Sequence, residues 1–133
     1  MLFVYWLEDH PEFAPRVTQI LEGMSSRGDS LCTSVFTVGE VLTGPYKRGE
    51  AEIAARIRNA FSSPKIELIS FGPNTADRYA QIRAKHRVTP ADAIHLASAA
   101  ESGVDLFLTN DRRLQPLNIP GIHFIAGMDV NLF

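Results

Sequence analysis

Cysteine is nearly missing from this sequence: Cys32 stands alone among 133 residues. An internal disulfide is excluded, and a zinc site built from thiolates is disfavoured. Cys32 lies in an apolar run, which predicts a buried, inert thiol and a reducing, cytoplasmic setting. Long apolar runs are missing as well. No stretch approaches the roughly 20 residues that a membrane-spanning helix needs. The apolar start, MLFVYWLED, lacks the basic flank of a signal peptide and meets acids at once. Strong net charge is also absent, the formal value being −2. With no global field toward nucleic acid, binding to it must depend on a local basic patch. Repeats, low-complexity tracts and dividing linkers do not occur. The length suits one domain over residues 1–133, and a composition 45% hydrophobic and 21% charged excludes disorder.

What is present is an alternation of helix and strand signals. Phe13, Val17, Ile20, Leu21 and Met24 fall on one face of an amphipathic helix that Ser25 to Gly28 would end. Ile53, Ile57 and Phe61 mark a second helix, and a weaker pattern through Ala76, Tyr79 and Ile82 marks a third over 74–86. Residues 2–8 also read as helical. Thr89-Pro90-Ala91-Asp92 is a strong helix start, with Thr at the N-cap, Pro at the first helical position and an acid at the third. That helix closes at Gly103. Strand signals lie at 31–35, 66–70 and 104–109, with a weaker one at 123–125. Short apolar runs of this kind suit strands covered on both faces of a parallel sheet, so the fold class is α/β with right-handed crossovers.

Open parallel sheets bind ligands beyond the carboxyl ends of their strands. Three acids fall there: Glu40 after the first strand signal, Asp92 at the helix start, and Asp111 after the 104–109 strand. Each has a purely local alternative. Thr37 with Glu40 and Thr89 with Asp92 both fit capping boxes, and Asp111 fits a cap on the turn DRRL. Glu40 is the hardest to explain locally, because it sits among Phe36, Val38, Val41 and Leu42. Carboxylates gathered at one place repel unless a cation binds, and oxygen-only ligands suit Mg²⁺ or Mn²⁺. The chemistry this implies is metal-assisted hydrolysis of a phosphodiester.

The segments SVFTVGEVLTGP, VTPADAIHLASAA and DLFLTNDRRL, in this order, resemble the PIN-domain family, especially the VapC-like toxins of bacterial toxin–antitoxin pairs. TPADAIHLASAA followed closely by LTND is the most specific part. The resemblance implies a three-layer α/β/α fold with a central parallel sheet and an acidic pocket holding Mg²⁺ or Mn²⁺. It implies a divalent-metal-dependent endoribonuclease, with RNA as substrate, a cognate antitoxin as partner, and a homodimer. Carried over by position, Glu40, Asp92 and Asp111 are similar to the family's second, third and fourth acids, with Thr109 and Asn110 as polar neighbours that hold a carboxylate or water in place.

One departure is expected to matter. The family opens with a strand ending in Asp-Thr or Asp-Ser, and here Met1 stands where the next helix begins, so that strand and its aspartate are missing from the sequence. A start upstream of Met1 is the favoured reading; a shortened homologue held by a partner is the other. Glu8 and Asp9 are not expected to substitute. The alternative function is therefore a catalytically impaired module that binds RNA or protein. Arg78, Arg83, Lys85, His86 and Arg87, with Arg112 and Arg113, either line an RNA groove or form a solvated face. His95, one turn past Asp92, either faces the pocket or belongs to core or surface. Tyr5 and Trp6 read as packing residues.

Overall fold

The computed structural model of the protein describes residues 14–129, so the readings made for residues 2–8, Glu8, Asp9, Tyr5, Trp6 and Phe13 lie outside the described residues. Five helices and four strands follow in the order α1 (Ala14–Arg27), β1 (Leu31–Ser34), α2 (Val35–Lys47), α3 (Ala51–Phe61), β2 (Ile66–Ile69), α4 (Pro73–Lys85), α5 (Pro90–Ser102), β3 (Leu106–Leu108) and β4 (Phe124–Ala126). The α/β class and the parallel pairing stand as expected: β1 pairs in parallel with β2, and β3 with β4. Among the described residues these are separate two-stranded pieces, with no strand joining β1 to β3.

Helix α5 is the centre of the packing. Ala93, Leu96, Ala97, Ser98, Ala99 and Ala100 are all buried, so the helix is enclosed around most of its circumference. Burying Leu96 completely is worth about 2 kcal/mol. Its partners include Ile82 from α4 and Leu114, Ile119 and Ile122 from the segment after β3. Small side chains let backbone come close, and Gly121 shows how close. It holds a left-handed φ of 100°, and a Cβ added there would lie 2.6 Å from the Ala100 carbonyl oxygen. The ends of α5 are as the sequence indicates: the Thr89 hydroxyl accepts from the Asp92 amide, and Gly103 closes the helix at φ 64°.

Helix α2 departs from the expectation. A capping role for Thr37 would start the helix near residue 38, yet it begins at Val35, directly after β1, with Ser34 as its N-cap accepting from the Phe36 amide. Gly39, Gly44 and Pro45 lower the intrinsic helix signal of VFTVGEVLTGPYK. Packing outweighs it: Val38, Val41 and Leu42 close against Ile53, Ile57 and Phe61 of α3 and Ile66 of β2. Helix α1 ends at Arg27, within the expected stretch, before Gly28 at φ 75°. Strands β1, β2 and β3 are shorter than their signals, β4 is shifted by one residue, and coverage is incomplete, since Leu68, Leu106 and Phe124 stay exposed. Cys32 is half-buried; burial first, and the Glu67 charge second, push its thiol up from the ordinary value.

The two glycines give opposite outcomes for one chemical change. Gly121→Ala is expected to destabilise the protein by about 1–3 kcal/mol, because backbone must move. Gly39→Ala lies within α2, where an added Cβ meets nothing, and is expected to stabilise by about 0.5–1 kcal/mol. Urea-denaturation midpoints of the two variants check both signs.

Candidate functional site

Glu40 occupies the second turn of α2 because Ser34 ends β1 and caps the helix with no intervening loop. Thr37, at the third helical position, is buried and shares a 2.9 Å hydrogen bond with Thr33. It therefore does not cap for Glu40. The Glu40 carboxylate instead meets His95 of α5, with Oε1 2.6 Å from Nε2. Both side chains are half-buried, at 32% and 20% exposure, and the imidazole packs against Phe36 with ring centroids 5.5 Å apart. A hydrogen bond between half-buried groups is stronger than one in water, so this contact fixes the carboxylate.

Asp92 lies one turn before His95, on the same side of α5. Its amide is capped by Thr89, which is half of a capping box. No reciprocal bond from its carboxylate to the cap occurs among the described residues, so that side chain is not committed to the helix end.

Asp111 follows β3 in the segment LTND. Its amide donates to Thr109 Oγ1 at 3.0 Å, while the Thr109 amide continues the strand ladder to the Ala126 carbonyl. Thr109 thus ties the turn to the sheet, and Asn110 is exposed. The expected cap on the DRRL turn is present, since Asp111 Oδ1 accepts from the Arg113 amide at 2.9 Å. Arg113 does more than complete a turn. Its Nε donates to Oδ1 at 3.0 Å and its Nη2 to Oδ2 at 2.7 Å, a forked pair. The Arg113 guanidinium therefore holds the Asp111 carboxyl below the usual carboxylate range, the amide bond adding to the effect. Arg113 is in turn pushed up by Asp111 and, more weakly, by Asp92.

The acids thus stand on three elements, Glu40 paired with His95 and Asp111 paired with Arg113. His95 ties Glu40 to α5, the helix that carries Asp92, while Arg113 grips Asp111. Among the described residues no three His, Cys, Asp or Glu side chains stand close enough together to hold one metal ion. The donor chemistry, carboxylate oxygen from three elements, still suits a hard divalent cation. Of the basic residues, Arg78 is committed elsewhere, to Glu101 at 2.7 Å and the Pro120 carbonyl. Arg83 leans on the Tyr79 hydroxyl, while Lys85, Arg87 and Arg112 are exposed.

A lowered carboxyl value gives stability that is present above the ordinary carboxylate range and lost as pH falls through the folded value. Removing Arg113 should remove that contribution, which is small because the guanidinium is exposed and screened. In metal-free protein, Arg113→Ala is expected to move the Asp111 titration midpoint upward toward the ordinary range, as read by carbonyl NMR. An unmoved midpoint contradicts the assignment.

A family model, PIN domain, matches residues 2–118. Among solved structures, the chain resembles one in the crystal structure of VapBC2 from Rickettsia felis bound to a DNA fragment from their promoter. That likeness has a TM-score of 0.74 at 16% identity and covers 95% of this chain and 92% of the other. A toxin–antitoxin complex from Klebsiella pneumoniae follows, with a TM-score of 0.64, 24% identity, and 90% and 91% of the two chains covered. At these identities the likeness concerns the fold. No curated protein matches the chain.

Proposed function

The chain belongs to the PIN-domain family, and on that footing we propose that it is a divalent-metal-dependent endoribonuclease, the toxin half of a toxin–antitoxin pair. Glu40, Asp92 and Asp111 are its metal ligands and catalytic carboxylates, with Mg²⁺ or Mn²⁺ as the ion. The observation that carries this reading is the Glu40–His95 contact at 2.6 Å, which ties the glutamate of α2 to the helix that carries Asp92. Local capping accounts for neither Glu40 nor the Asp92 carboxylate. The toxin assignment is supported by fold likeness to chains from two toxin–antitoxin complexes. A cognate antitoxin, a homodimer and a cytoplasmic location belong to the same proposal. No helix among the described residues is long and apolar enough to cross a membrane.

When bound, the ion would supply Lewis-acid polarisation and offset charge developing on the phosphodiester. The chain's own residues supply position. His95 holds Glu40 by one oxygen and leaves the other uncommitted. Thr109 fixes the backbone of Asp111. A second reading, an RNA- or protein-binding module impaired in cleavage, is favoured by the absence of a ready three-ligand group among the described residues.

Purified protein is expected to cleave RNA with Mg²⁺ or Mn²⁺ and to stop on chelation. Asp92→Asn is expected to lower the rate at least about 100-fold, the scale of losing one electrostatic group at a phosphoryl or acyl centre. RNA bound but left intact at every metal concentration would favour the second reading.

A further inference from the structure

We propose that a strip from Phe71 along α4, through Tyr79 and Arg83 to Lys85 and Arg87 at its end, is a track for single-stranded RNA. The inference rests on the reading of RNA as substrate, and gives that substrate a path over residues the reading does not use.

Charge points to it first. From Arg78 to Ala91 the chain carries Arg78, Arg83, Lys85, His86 and Arg87 and no acid, in a protein whose formal net charge is −2. Arg78 is answered by Glu101. Among the described residues Arg83, Lys85 and Arg87 have no acidic partner, and all three are exposed. Unanswered cations of this kind repel one another, and a polyanion relieves the repulsion.

Position comes next. Arg78 meets Glu101, at the far end of α5, with Nε 2.7 Å from Oε2. Residues 86–89 join the end of α4 to the start of α5, so the two helices run antiparallel. Arg83, Lys85 and Arg87 thus lie at the end of α4 that adjoins Asp92 in the first turn of α5.

Aromatic rings complete the track. Phe71 is 44% exposed and meets Tyr79 edge to face, with ring centroids 6.2 Å apart. Arg83 Nη1 donates to the Tyr79 hydroxyl at 3.3 Å, one turn further along the helix. Unpaired bases stack on such rings and on guanidinium planes, while phosphates take the cations. Bases inside a duplex have their faces covered, so the combination selects a single strand. Protein interfaces are depleted of charge at their centre, Lys above all, and the strip fits a protein partner less well.

The test is fluorescence anisotropy with a labelled single-stranded RNA of about 12 nucleotides, in chelator to prevent cleavage, over about 50–200 mM salt. Phe71→Leu keeps the apolar bulk and loses the ring. It is expected to bind about tenfold more weakly at every salt concentration, the scale of one base–aromatic stack, with the salt slope unchanged. The double variant Lys85→Gln/Arg87→Gln is expected to make the log–log salt slope shallower by about 0.7 for each cation removed. Wild-type binding by both variants overturns the inference and leaves RNA standing as substrate. Equally tight binding of a duplex of the same sequence overturns it too. A changed oligomeric state in sedimentation, with RNA affinity unmoved, also overturns it and gives the strip to a protein partner. Wild type that binds no RNA in chelator yet cleaves it with Mg²⁺ overturns the inference alone. Wild type that neither binds nor cleaves overturns the substrate reading as well.

Discussion

The enclosure of α5 is the constraint on which the rest depends. A helix buried on nearly every side cannot rotate or slide without opening the core, and Leu96 and the alanines around it fill that role with little side-chain volume. Because its backbone can come close to its neighbours, Gly121 presses against the Ala100 carbonyl and Ser98 reaches Ser34, 3.5 Å away at the end of β1. The same rigidity fixes the polar residues near the start of the helix. Asp92 and His95 inherit their positions from packing that is apolar apart from Ser98. A site placed on an immobile element gains precision that a loop does not provide.

Electrostatics then divides the site into two unlike halves. Toward α2, Glu40 and His95 form a half-buried pair backed by an aromatic ring. Toward β3, Asp111 and Arg113 form a forked pair at the surface, 27% and 80% exposed. Surface pairs are weak and salt-sensitive, while partly buried ones are less screened. The two halves therefore respond differently to ionic strength, the Arg113 half more strongly.

Much of this was legible in the sequence, and the failures have physical causes. The α/β class, the parallel pairing and the start and stop of α5 followed from local signals: Thr89, Pro90 and Gly103 act on their own backbone. Glu40 and Asp111 follow β1 and β3 in the order read from the sequence, because a strand's end is a local feature as well. Helix α2 goes unsignalled by periodicity, because Gly39, Gly44 and Pro45 weaken its propensity and contacts with α3 decide it instead. His95 was left undecided between pocket and core because its partner is 55 residues away, beyond the reach of periodicity. Arg113 read as one more member of a basic face, and only its fork onto Asp111 separates it from Arg112.

Ser34 both finishes β1 and caps α2, so the six residues from there to Glu40 contain no slack. Each residue of an α-helix turns the chain by about 100°. A single insertion or deletion in this stretch would swing the glutamate around the helix axis, out of reach of the imidazole, while leaving every apolar contact of α3 available to a re-registered helix. Length variation in this protein's descendants is therefore expected to accumulate in the turns at 48–50 and 62–65 and to spare the junction at Ser34.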